Sequence, residues 1–244
     1  MTLAFRIDQS KYCMKRIGLI GGLSWYSSIE YYRILNRLTE ECLGAHQQGN
    51  IVLVNVNLHE FNTLLKKDDT SKAIDLLISA AKTLESACCD VILLCSNGAH
   101  RFFDQVKDSI NTEMLHIAEA TAIAIQEQKI VKVGLLGAKS TMEEGFYQKR
   151  LSKFNIEIMT PIAEDSDLID QIIFRELAQG SFIDASRNSL IQIIKNMQKM
   201  GAKGVILGCT EIPLLINQNH LNLLVFSTTD LHCKSAFSKA ISQT

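Results

Sequence analysis

Proline is nearly missing from the chain, with two among 244 residues, Pro161 and Pro213, so no Pro-rich linker marks a domain boundary. Long apolar runs are missing too. None approaches the roughly 20 residues that span a bilayer, and the opening "MTLAFRIDQSKYC" lacks the apolar core of a signal peptide; a cytoplasmic protein with no membrane contact is expected. No charge sign dominates. Lys and Arg number 25 against 26 Asp and Glu, a formal charge of −1, and basic residues gather only in pairs such as Lys66 with Lys67. The electrostatic footprint of nucleic-acid binding is therefore absent, and a small-molecule partner is expected. The seven cysteines, at 13, 42, 88, 89, 95, 209 and 233, form an odd set without C-x-x-C or C-x-x-H spacing. That pattern argues against a zinc site and against a secreted disulfide scaffold, and points to reduced thiols.

What the chain does contain is alternation. Short apolar runs stand at Ile17 to Ile20, Ile51 to Val56, Val91 to Leu94, Val131 to Leu136, Ile156 to Met159, Val205 to Leu207 and Leu223 to Phe226. Segments of helical period separate them. Ile74, Leu77, Ile78, Ala81 and Leu84 form one face of a helix that Thr70 or Ser71 opens. Strands that are apolar throughout belong to parallel sheets covered by helices on both faces, an α/β fold.

The alternation is duplicated. "RIGLIGG" at 16 to 22 returns as "KVGLLGA" at 132 to 138, an offset of 116, and "DVILLCSN" at 90 to 97 returns as "GVILGCTE" at 204 to 211, an offset of 114. Two segments in the same order at nearly one offset predict two pseudo-symmetric α/β units. Since ligands lie beyond the carboxyl ends of parallel strands, residues 21–25, 95–98, 137–141 and 209–211 are expected to surround a cleft between them.

Gly18, Gly21 and Gly22 lack the G-x-G-x-x-G spacing of a dinucleotide site. The turn "GGLSW" has two other readings: close backbone approach to a small anionic ligand with Ser24 as a donor, or a tight strand-to-helix turn with Ser24 as N-cap. Cys209 ends an apolar strand ahead of Thr210, Glu211 and a short helix that Pro213 helps to open. A helix N-terminus lowers a thiol pKa from its reference of about 8.5, so Cys209 is a candidate base or nucleophile. Cys42, Cys88, Cys89 and Cys233 are read as small buried hydrophobes.

"RIGLIGGLSW" with "YYRILN", then "CSNGAH", "HIAEAT", "GLLGAKSTMEEGFYQKRL", "QIIFRELAQGSF" and "GAKGVILGCTEIPLLI" together resemble the cofactor-independent aspartate/glutamate racemases, and most of all their branch of broader specificity. The resemblance runs from Met14 almost to the C-terminus. It implies two α/β domains, 14–113 plus 221–244 and 114–220, and usually a homodimer; residues 1–13 are read as an N-terminal extension because "MKRIGLIGG" from Met14 has the look of a natural beginning. It also implies an active site free of pyridoxal phosphate and metal, working by two-base racemisation of an amino acid. One residue removes the α-proton and its partner on the opposite face returns one. Cys209 matches the second base. For the first, the gapless repeat selects Cys95, whereas the motif register held by Asn97, Ala99 and His100 selects Ser96, as in the branch that carries a threonine there. Ser96 and Cys209 are the catalytic pair that the resemblance supports.

Asn97, Ser24, Thr141, Thr210 and Glu211 remain as the polar groups expected to hold the α-carboxylate and amine. Gly98 stands where the family has a hydroxyl, Leu23 where it has methionine, and Leu65 and Leu168 where the broad branch brings a glutamine and a lysine to the ligand. These departures remove polar hooks for a side-chain carboxylate, which Arg175 would have to replace. A serine hydroxyl is a far weaker acid than a thiol and needs activation as a base. That weakness keeps two alternatives open: a decarboxylase or isomerase using Cys209 alone, and a non-catalytic amino-acid-binding protein.

Overall fold

The computed structural model describes residues 12–243; most of the expected extension, residues 1–11, lies outside them. In chain order the elements are β1 (Tyr12–Met14), β2 (Ile17–Gly21), α1 (Trp25–Leu43), β3 (Ile51–Asn55), α2 (Leu58–Lys66), α3 (Thr70–Ser86), β4 (Val91–Leu94), α4 (Phe103–Lys107), β5 (Glu113–Leu115), α5 (Ile117–Glu127), β6 (Lys132–Gly137), α6 (Lys139–Glu143), α7 (Phe146–Ser152), β7 (Glu157–Met159), α8 (Ala163–Arg175), α9 (Asp184–Lys199), β8 (Gly204–Gly208), α10 (Ile212–Leu215), β9 (Leu224–Ser227), α11 (Thr228–Ala240) and β10 (Ile241–Gln243). Two four-stranded parallel sheets result, ordered β3-β2-β4-β5 and β7-β6-β8-β9. The seven expected strands are all present. The additional β5 carries only Glu113, Met114 and Leu115, too short an apolar run to stand out.

The chain divides into two compact units. One holds the described residues through Cys95, with Phe102–Leu115 and the stretch from His232; the other holds Ser96–Arg101 and His116–Leu231. Two expected boundaries are corrected. The return to the first unit comes at His232, not 221, because β9 extends the second sheet alongside β8. Residues 12 and 13, expected in the extension, belong to β1, which pairs antiparallel with β10.

In the first unit β2 and β4 are buried throughout. Ile17, Leu19, Val91, Leu93 and Cys95 share one core with Tyr31, Ile34 and Leu35 of α1 and with Cys233, Ala236 and Ala240 of α11. Each large apolar side chain buried there contributes about 2 kcal/mol. Asp69, ahead of the predicted Thr70 or Ser71, caps α3 by accepting from Lys72 N at 3.3 Å. A carboxylate there suits the positive end of the helix.

The Gly-rich turn after β2 is settled by contact with the chain itself. Gly22 has φ +81°, and a Cβ on it would lie 2.2 Å from the Val56 carbonyl oxygen, so its close approach is to backbone. Its N–H donates to Ser28 Oγ at 2.9 Å. Ser24 takes the N-cap role, its Oγ accepting from Ser27 N, at a φ of 94° that is unusual for a serine.

The first unit also buries a histidine. His232 is 0% exposed; its Nε2–H donates to the Leu115 carbonyl at 2.9 Å, which leaves Nδ1 to accept from Tyr31 OH at 2.9 Å. Burial holds its pKa down to about 4, against the smaller opposing pull of the Leu115 carbonyl. The unfolded chain takes up the proton below about 6.5 and the folded chain refuses it until about 4. The stability from neutral His232 is therefore intact above the upper value and lost between the two, about 3 kcal/mol in all. Thermal melts from pH 7 down to 4 are expected to show this loss, and a His232→Gln variant, less stable at neutral pH, to lose that share of the slope.

Candidate active site

The second unit gathers most of the sequence-predicted residues. Ser96, Asn97 and Gly98 follow β4, Thr141 lies on α6, and Cys209, Thr210 and Glu211 lie between β8 and α10. Leu23 and Ser24, in the turn before α1, and Leu65, near the end of α2, belong to the first unit. Leu168 is 38% exposed on α8, and Arg175 is exposed in the last turn of that helix.

The choice between Cys95 and Ser96 has a structural answer in sheet register. In the first sheet Ile17 pairs with Val91, and in the second its repeat mate Val133 pairs with Gly204. Position 133 is 116 after 17, whereas 204 is 113 after 91. The gapless sequence offset of 114 is thus one residue off, and the structural counterpart of Cys209 is Ser96. The side chains agree. Val91, Leu93 and Cys95 alternate onto one face of β4 and its extension, and Cys95 is fully buried in the apolar core. Burial drives its thiol pKa well above the ordinary value. The Cys95 carbonyl accepts from Ser27 Oγ at 2.6 Å. Ser96, partly exposed, lies one residue past it.

Around Ser96 the backbone is pinned by His100. The ring Nδ1–H donates to the Ser96 carbonyl at 2.7 Å, and Nε2 accepts from Ile117 N at the start of α5 at 3.2 Å. Those partners require the neutral Nδ1–H tautomer, so His100 orients the turn and caps a helix at once. Ser96 Oγ accepts from Ala99 N at 3.4 Å. Among the described residues no carboxylate or imidazole accepts the hydroxyl proton.

Cys209 is partly exposed. Its thiol donates to Glu211 Oε2 at 3.0 Å, and the same oxygen accepts from Thr210 Oγ1 at 2.6 Å. Both neighbours are buried. The expectation of a lowered thiol pKa is corrected in direction. Desolvation first, then the negative charge of Glu211 and its hydrogen bond to the thiol, push it well above the ordinary range, against the smaller pull of the Glu211 and Ile212 amides. What the sequence pattern conveyed was the helix end; what it did not convey was the desolvation of the thiol and the charge of Glu211 against it.

Thr141 Oγ1 is buried, at 1% exposure for the residue, and has no hydrogen-bond partner among the described residues. Gly98 leaves space beside it: an added Cβ would meet only Ser140 Oγ at 3.6 Å and Thr141 Oγ1 at 3.9 Å, ordinary contacts. The missing hydroxyl at 98 is thus not excluded by packing. Asn97 is held by two groups to which the sequence reading assigned nothing, Tyr147 and Thr228. No local signal marked them: Tyr147 precedes Gln148 and Lys149, Thr228 lies between Ser227 and Thr229, and a buried hydroxyl's need for a partner shows only once the fold has buried it. Among the described residues no group of three His, Cys, Asp or Glu side chains is placed to hold a metal ion, and no helix is long and apolar enough to cross a membrane.

A family model described as Asp/Glu/Hydantoin racemase matches residues 20–236. The chain is 41% identical to a Yersinia pestis protein provisionally assigned as an Asp/Glu racemase, whose crystal structure superposes with a TM-score of 0.87 over 93% of this chain and 99% of that one. An aspartate racemase homologue from Pyrococcus horikoshii OT3 superposes with a TM-score of 0.84 at 33% identity, over 93% and 99% of the two chains. The broad specificity amino-acid racemase RacX of Bacillus subtilis is 25% identical over 70% of this chain and 72% of its own. The match to the glutamate racemase of Corynebacterium kroppenstedtii is 26% identical over 60% of this chain and spans about half of that relative, 47%.

Proposed function

Because the chain belongs to the Asp/Glu/hydantoin racemase family, we propose that it is a cofactor-independent amino-acid racemase in which Cys209 and Ser96 serve opposite faces of the α-carbon. The observation that carries this reading is the register equivalence of Ser96 with Cys209 at the ends of two duplicated strands. Inversion needs one proton-transfer group on each face, and a duplicated strand end supplies two.

In one direction Glu211 Oε2 takes the thiol proton of Cys209, to which it is already hydrogen-bonded. The thiolate then removes the α-proton. The electron pair of the C–H bond stays on the α-carbon and spreads into the substrate carboxylate, while Ser96 Oγ–H delivers a proton to the other face. The serine alkoxide regains its proton from solvent, and the Cys209 thiol and Glu211 carboxylate pair is left with one proton to release. In the reverse direction Ser96 is the base, a harder task for a hydroxyl. Asn97, Thr141 and Thr210 hold the substrate carboxylate and amine, with Leu23, Ser24, Gly98, Leu65 and Leu168 completing the substrate contacts. The leucines and Gly98 favour a substrate less polar than aspartate or glutamate. A cytoplasmic homodimer belongs to the same proposal, and sedimentation velocity reads its assembly directly.

The test is α-proton exchange in deuterium oxide, followed by NMR and chiral chromatography, over a panel of L- and D-amino acids. Exchange with inversion of at least one amino acid is expected. One observation favours a second reading: among the described residues no base accepts from the Ser96 hydroxyl. A decarboxylase or isomerase using Cys209 alone would incorporate deuterium at the α-position without inversion, and absence of exchange with every amino acid would sink the racemase reading.

A further inference from the structure

Asn97 is only 6% exposed, and Tyr147 and Thr228 are 0% exposed. The direction of both hydrogen bonds that hold the Asn97 amide follows from one backbone carbonyl. Leu207 C=O can only accept, so Thr228 Oγ1 spends its proton there, at 2.9 Å. The same oxygen must then accept from Asn97 Nδ2, at 3.2 Å. That places the amide oxygen toward Tyr147, whose hydroxyl donates to Oδ1 at 2.5 Å. With the amide turned over, Oδ1 would face a hydroxyl whose proton is already committed, a repulsive contact at a buried position.

The chain of bonds starts on α7, passes through the turn that carries Ser96, and ends on β8 two residues before Cys209. Burial keeps the phenol protonated, holding its pKa far above the ordinary tyrosine value, so its donor role holds at any working pH. The second amide proton of Asn97 has no partner among the described residues.

We propose that Tyr147 and Thr228 are positioning residues for racemisation: they lock the Asn97 amide so that its free N–H faces the amino-acid substrate, and they tie the Ser96 turn to the Cys209 strand. This rests on the racemase reading above. Neither residue touches substrate; both act through Asn97.

The experiment compares Tyr147→Phe, Thr228→Val and Thr228→Ser, each alone and combined with Asn97→Ala, by kcat and KM in both directions beside a thermal melt. Tyr147→Phe and Thr228→Val are expected to lower kcat/KM by about tenfold, the size of one well-formed hydrogen bond, mainly through KM. Thr228→Ser, which keeps the hydroxyl, is expected to stay near wild type. In the Asn97→Ala background the same changes are expected to cost little more, since the group they position is gone. Losses that persist in full in that background would overturn the proposal, as would a Thr228→Val enzyme with unaltered kinetics. Should Tyr147→Phe not fold, the Thr228 pair decides alone. A wild type that turns over no amino acid would count against the racemase reading instead. The same variants would then be compared by thermal-shift affinity for the amino acid that stabilises the wild type, where simple additivity with Asn97→Ala overturns the positioning role.

Discussion

Cys209→Ala is expected to lower racemisation by about 10³-fold or more, the order that removal of an essential proton-transfer group costs, in both directions and for every substrate. Ser96→Ala is expected to abolish inversion as well, with a different isotopic signature. The enantiomer whose α-proton meets Cys209 still loses it to the thiolate and regains a solvent deuteron from the same sulfur, so exchange without inversion persists for that enantiomer alone. Cys95→Ala should leave turnover intact. Its sulfur is buried among Ile17, Leu93, Tyr31 and Cys233, so the cost falls on stability, about 1 kcal/mol, and is read as a lower melting temperature. Loss of activity confined to Cys95→Ala would show that the strand delivers the other neighbour. Inversion surviving in Ser96→Ala would show that a different group returns the proton.

The comparison of Cys95 with Ser96 also shows where sequence reading works and where it stops. Continuous apolar runs made the strands legible, because a strand buried on both faces tolerates little else. The repeat made the duplication legible. The gapless repeat put Cys95 opposite Cys209, the motif register put Ser96 there, and the hydrogen-bonded register carries the same one-residue slip as the motif. Side chains that end a strand alternate faces, so that slip exchanges buried Cys95 for partly exposed Ser96.

The site was legible in its residue types and not in its electrostatics. Thr210 and Glu211 were recognisable as neighbours of Cys209, yet the desolvation that raises the thiol pKa depends on packing that no local pattern encodes. The Asn97 network joins residues 50 and 131 positions apart, beyond the reach of any motif. Conversely, the resemblance implied a return to the first unit at 221, whereas β9 pairs with β8 and the return falls at His232, inside α11.

Glu211→Gln separates two effects that a static carboxylate combines. The charge of Glu211 and its hydrogen bond hold the Cys209 proton on sulfur. Neutralising it is therefore expected to lower the thiol pKa, although burial, the larger cause, still keeps it above the ordinary value. If thiolate abundance alone set the rate, the variant would be faster. In the mechanism proposed here the carboxylate is the acceptor that takes the thiol proton as catalysis begins, and an amide cannot take it. Exchange is then expected to fall by about 10²-fold while alkylation of Cys209 by iodoacetamide at mildly alkaline pH speeds up. Mass spectrometry of the Cys209 peptide distinguishes it from exposed Cys88. The two readouts must move in opposite directions. Were exchange to rise with alkylation, Glu211 would be a brake on the thiol and not its base, and the proton would have to leave through Thr210 or solvent.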